Sequence, residues 1–191
     1  MERAKNLSLW TEEGYSLFAS EGLDGIQVER LSRILQLNKS GFYHYFGDME
    51  GYCAEIVKLH HQKVKQFTTQ VGELKRLDPE YLLLLIEHTP TVMFQVQLTR
   101  NKCSYSFYEA SELVDRNVNL AVHKIWCDFL GVSRGGDLGL RYYFIIRDMF
   151  YARISFQNLN YPYLYDLVME AKQLVTQFAQ RRSLQANETL R

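Results

Sequence analysis

Apolar positions along this chain recur at intervals of three and four residues, and that spacing predicts helices almost throughout. Between Gln27 and Tyr52 the pattern is densest. Val28, Leu31, Ile34 and Leu35 share one face of a short helix, and a break follows at Gln36-Leu37-Asn38. Asn38 is an N-cap residue for a second short helix in which Phe42 and Phe46, four apart, point to one side. The opposite side of that helix carries Lys39, Ser40, Tyr43, His44 and Tyr45, and Asp48 can cap the helix after it. From Glu55 to about Leu77 one long helix continues, with Ile56, Leu59, Val64, Phe67 and Val71 as its stripe. Asp78-Pro79 reads as an N-cap followed by Pro at the first helical position. The apolar YLLLLIEH opens that helix, and Pro90 kinks or divides it before TVMFQVQL.

Tyr105 to Leu130 suits a single helix with Leu113, Leu120, Ile125, Trp126 and Phe129 inward, ended by Gly131. A loop at Ser133 to Gly136 follows, with Asp137 as the next cap. Leu138 to Phe156 is too apolar for a helix with one wet side, so both sides need cover. The last helix, after Asn160-Tyr161-Pro162, has Leu164, Leu167, Val168, Ala171, Leu174, Val175 and Phe178 at near-regular spacing. These last two helices are the expected dimer surface, each subunit contributing a pair to a four-helix bundle; the alternative is that they pack inside one subunit. The fold expected is all-α, with residues 1–54 as a head, 55–77 as a connecting helix and 78–191 as a second domain.

Two short helices, a tight turn and a third helix are the layout of a helix-turn-helix DNA reader, and donor-rich side chains beside aromatic ones suit a helix lying in the major groove. The run from about Trp10 to Tyr52, with LFASEG, LNKSGFYHYF and GDMEGY, resembles the DNA-binding domain of the TetR family of transcriptional repressors. The resemblance covers about the first third of the chain. It implies a helical homodimer with a three-helix reading head on each subunit and a larger C-terminal domain that binds a small molecule and dimerises. Lys39, Ser40, Gly41, Tyr43, His44 and Tyr45 fall where that family places groove and phosphate contacts, and Gln27 falls where its second helix meets the backbone. Gln36 stands where the family usually has Gly. Met49 stands where it often has a phosphate-binding Lys, which leaves the helix N–H groups of Met49, Glu50 and Gly51 to receive a phosphate.

Charge changes this picture. The 191 residues hold 22 Lys plus Arg against 22 Asp plus Glu. Residues 1–61 hold six basic side chains (Arg3, Lys5, Arg30, Arg33, Lys39, Lys58) against nine acidic ones, so the head is net acidic. Affinity for DNA comes largely from neutralised phosphates, so such a head depends on where its few cations sit. A hydrophobic content of 47% with 14% aromatic residues argues for a folded chain. Cys53, Cys103 and Cys127 are too few and odd in number for a disulfide framework and fit a reducing cytoplasm. MERAKNLSLW has no apolar signal core, and no stretch has the length of a membrane helix, so a cytoplasmic location is expected.

Aromatic residues crowd the second half, with Phe94, Tyr105, Tyr108, Trp126 and Tyr151 near Arg100 and Arg147. A mostly apolar cavity with a few oriented polar groups is how small-molecule sites are built, and an Arg facing it would suit an acidic or carbonyl-bearing apolar ligand. The same aromatics also fit plain core packing, with Arg147 or Arg153 paired to Asp148 or Glu112. His60 and His61 are adjacent and point about 100° apart, so without another ligand they cannot chelate one ion together, and a solvated or interface role is expected. Cys103, between Arg100, Lys102 and Ser104, fits either an oxidant-sensing thiol or inert packing. No nucleophile, base or metal constellation marks an enzyme, and no cofactor is expected. Two readings lead: a homodimeric repressor released from a palindromic operator by a small apolar ligand, and a ligand- or partner-binding module with weakened DNA affinity.

Overall fold

The computed structural model describes the backbone of residues 2–101 and 105–189 and the side chains of 5–101, 107–137 and 139–177. Cys103, Lys102 and the side chains of Tyr105, Leu138 and Phe178 lie outside the described residues. Every regular element among the described residues is helical: α1 Glu2–Glu21, α2 Val28–Leu35, α3 Lys39–Phe46, α4 Met49–Glu73, α5 Leu82–Glu87, α6 Thr89–Arg100, α7 Tyr105–Leu130, α8 Asp137–Arg153 and α9 Tyr161–Thr189.

Local chemistry sets the boundaries. α1 gives way to a tight turn at Gly22, whose φ of 71° favours a residue without Cβ. Gln36 closes α2 in the left-handed region at φ 55°, and the Gln36 and Leu37 N–H groups both donate to Ser32 O. Asn38 caps α3 by accepting from Ser40 N–H at 3.0 Å, and Asp48 caps α4 by accepting from Gly51 N–H at 2.8 Å. Gly131, at φ 70°, follows the end of α7. Pro90 sits in the first turn of α6, so it divides the apolar run as its chemistry requires.

Asp78 keeps the extended backbone expected ahead of Pro79 (φ −109°, ψ 125°), but its carboxylate accepts from the Tyr161 hydroxyl at 2.6 Å, and Glu80 takes the Lys75 and Arg76 N–H groups. The Asp137 cap is corrected. Asp137 is the first helical residue of α8, and the preceding Gly136 makes no side-chain cap.

The chain divides into two compact units, Met1–Thr69 with His88–Val118, and Gln70–Glu87 with Asn119–Arg191. The division runs through α4 and α7. In the first unit α1 packs on α6 and α2, and α2 on α3, around Trp10, Phe18, Leu31, Phe42, Tyr52 and Phe94, all at most 1% exposed. In the second, α9 packs on α5 and α8 around Leu82, Trp126, Ile154, Leu164, Ala171 and Val175.

Several apolar side chains face elsewhere than their spacing suggests. Ile34 on α2, Leu113 and Leu120 on α7 and Leu174 on α9 are exposed, while Phe129 is half-buried. α8 keeps an open side as well, at Phe144 and Ile145.

Candidate functional site

α3 is held by one side and open on the other. Phe42 meets Trp10 edge-on at 5.4 Å and lies 4.9 Å from Tyr52, and Phe46 lies 4.8 Å from Tyr52. The Tyr52 hydroxyl donates to Trp10 O at 2.7 Å, occupying the space a side chain at Gly14 would need. Aromatic pairs of this kind add geometric preference to area burial. Opposite this anchor, Lys39, Ser40, Tyr43 and His44 are exposed, and Gly41 and Tyr45 are half-buried. Gln27 is exposed at the start of α2, and Met49 is half-buried at the start of α4.

Several cations of the first unit are engaged in ion pairs. Lys39 Nζ lies 2.9 Å from Glu29 Oε1, a pairing that holds the Glu29 carboxyl below its usual range. Arg30 donates to Glu21 through both terminal nitrogens, one at 2.6 Å, tying α2 to the end of α1. Lys63 pairs with Glu12 at 3.1 Å. Arg33 is exposed with no ion pair among the described residues. One expectation for the start of α4 is corrected: the Gly51 N–H is taken by Asp48, and so is not open to a phosphate.

The first unit also contains a buried polar chain that periodicity did not reveal. Tyr15 on α1, His60 on α4, Gln95 on α6, and Ser111 and Asp115 on α7 are all at most 5% exposed. Gln95 Nε2 lies 2.8 Å from Asp115 Oδ1 and 3.1 Å from Ser111 O, both acceptors. That orients the amide, so Gln95 Oε1 accepts from His60 Nε2–H at 3.2 Å, and His60 Nδ1 accepts from the Tyr15 hydroxyl at 2.9 Å. Burial lowers the His60 pKa to about 3, against the opposing effect of the Gln95 bond, so the ring is neutral. Burial also pushes the Tyr15 phenol up. His60 therefore has neither a solvated nor an interface role. The signal was present in the sequence, because His60 lies four residues after Ile56 and four before Val64, inside the buried stripe of α4.

Phe94 belongs to this core and not to an open cavity: it stacks on Tyr15 at 4.3 Å, lies 4.4 Å from Phe18 and His60, and is fully buried. Arg100 and Tyr108, also in the first unit, are exposed. In the second unit Trp126 donates to Gly139 O at 2.9 Å and meets Tyr143 edge-on. Arg147 lies over Phe144 at 5.1 Å and over Tyr151 at 6.0 Å while pairing with Asp148 at 2.8 Å. Of the expected ligand set, the structure brings Arg147 and Tyr151 together. Burial and Glu50 raise the Cys53 thiol to about 11, and burial with Asp128 raises Cys127, so both stay protonated near neutral pH.

Among the described residues no helix is long and apolar enough to cross a membrane. Comparison of the chain with protein-family models, curated proteins and solved structures finds no match.

Proposed function

We propose that the chain is a DNA-binding transcriptional regulator: a homodimeric repressor that lays α3 in the major groove of a palindromic operator and is released by a small, largely apolar ligand. The observation that carries this reading is the two-sidedness of α3. An aromatic anchor fixes its orientation, and the exposed side offers Lys39, Ser40, Tyr43 and His44 in a donor-rich patch. The resemblance to TetR repressors in the same residues agrees with it. Exposed Phe144 and Ile145 on α8 and Tyr165 and Leu174 on α9 support dimerisation through the last two helices. Arg147 beside Phe144 and Tyr151 supports an acidic or carbonyl-bearing apolar effector. By linkage, that effector binds less tightly when operator is bound.

A second reading is favoured by the Lys39–Glu29 pair and the acidity of the head: a ligand- or partner-binding module with weakened DNA affinity. Selection of bound duplexes from a random pool, then titration of the winner at two salt concentrations with wild type and Tyr43→Ala, separates the two. The repressor reading expects an enriched palindrome with half-sites one helical turn or a multiple apart, and about tenfold or greater loss in the variant. No enriched sequence at low salt would sink it and leave the module.

A further inference from the structure

We propose that Glu29 is an internal competitor for the DNA-facing cation of α3: it occupies Lys39 as a phosphate would, and so sets how tightly, and with what response to salt, the first unit binds a duplex. This rests on the reading of α3 as the groove helix. Both residues lie in the first compact unit, Glu29 in the first turn of α2 and Lys39 as the first residue of α3. Lys39 Nζ donates to Glu29 Oε1 at 2.9 Å, a charge-assisted hydrogen bond between neighbouring helices. Tyr43 follows Lys39 by one helical turn and is exposed, which puts the ammonium at the edge of the donor-rich patch. A helix N-terminus disfavours a cation, and the Glu29 carboxylate offsets that cost until an anion from outside takes its place.

The pair opens easily. The Lys39 and Glu29 side chains are 50% and 68% exposed, and an exposed pair is weak, so the ammonium can leave at small cost. Arg30, the next residue on α2, differs: it donates to Glu21 through both terminal nitrogens, and a bidentate fork exchanges less readily than a single bond. Of the two, Lys39 is the cation that trades partners. When a phosphate displaces Glu29, the freed carboxylate takes up a counterion as the phosphate gives one up. Net ion release falls by about one, and duplex affinity becomes less sensitive to salt than the cations at this face would otherwise make it.

Fluorescence anisotropy with a labelled pool of random-sequence duplex, over a salt series that starts low, tests this on wild type, Glu29→Gln, Lys39→Met and the double variant, each checked for helicity by circular dichroism. Glu12→Gln is the charge control, because it removes the same charge from the first unit but releases Lys63, about 20 Å along α4 from the end next to α3. Glu29→Gln should bind about threefold tighter than wild type or better, with a log–log salt slope steeper by about one. In the Lys39→Met background the same change should gain less than about 1.5-fold, and Glu12→Gln should gain no more than that. Losing an acidic residue from the first turn of α2 would by itself loosen that helix and weaken binding, so a merely structural role has the opposite sign. Duplex binding by wild type with no gain in Glu29→Gln would overturn the proposal and leave the DNA-binding reading standing, as would an equal gain in the Lys39→Met background or in Glu12→Gln. No binding by any of these proteins at the lowest salt would remove that reading, and the proposal with it.

Discussion

Replacing His60 with glutamine should remove a pH dependence of stability that one buried ring imposes. His60 is completely buried between Tyr15 and Gln95, with a pKa lowered to about 3 by loss of solvation. In the unfolded chain a histidine takes up its proton near pH 6.5. The unfolded state therefore binds more protons than the folded state at any pH between those values, and stability falls as pH falls. The contribution is whole above about pH 6.5 and is lost at about 1.4 kcal/mol per pH unit on the way down towards 3. From pH 7 to pH 5 the loss from this residue alone comes to about 2 kcal/mol. Urea unfolding at both pH values, on wild type and His60→Gln, reads this as a difference of differences in which the other titrating groups largely cancel. At pH 7 the variant should be less stable by about 1–3 kcal/mol, because glutamine cannot bond both Tyr15 and Gln95 in the imidazole geometry. Between pH 7 and pH 5 it should lose about 2 kcal/mol less than wild type. Equal losses in the two proteins would refute the reasoning, since His60 would then be free to protonate in the folded state.

Three further outcomes are expected from the turn that precedes α3 and the turn that follows it. Gln36→Gly should raise stability by about 0.5–1 kcal/mol in urea unfolding, because φ 55° is strained for a residue with a Cβ. Asn38→Ala should lower it by about 1 kcal/mol through loss of the bond to Ser40 N–H, with little change in overall helicity by circular dichroism. Gly51→Ala should cost about 1–3 kcal/mol in thermal or urea unfolding, because the added Cβ would lie 2.2 Å from Phe46 O and the turn between α3 and α4 would have to shift.

Features set by near neighbours in the chain were legible before the structure. The Asn38 and Asp48 caps, the break around Gln36, the stop at Gly131 and the Pro90 division each depend on a few residues whose backbone chemistry is local. Faces were harder, for a reason α7 makes plain. Its buried side includes Ser111 and Asp115 beside Val114 and Val122, and its exposed side includes Leu113 and Leu120, so apolar content alone does not separate the two faces. His60 hid in α4 in the same way. Periodicity reports which residues share a face, but a polar residue is accepted inside only where a partner on another helix meets it, and those partners lie 12 to 45 positions away. The exposed side of α3 was read from Phe42 and Phe46, whose burial fixes the opposite direction. The aromatic set of the second half was not separable by composition: Phe94 belongs to one compact unit and Trp126 and Arg147 to the other.

The buried chain from Tyr15 to Asp115 also gives the first unit a detent. Apolar contacts loosen gradually as two helices slide, whereas a hydrogen bond loses most of its strength within a fraction of an ångström and a few tens of degrees. Here every donor points the same way, from the phenol through the imidazole and the amide to the carboxylate. Neither the imidazole nor the amide can reverse without leaving two neighbours mismatched. Movement of α1 against α6 therefore meets its resistance at the outset and all together, so the helix that carries Trp10, the anchor of Phe42, either sits in its notch or leaves it, with no shallow slope between.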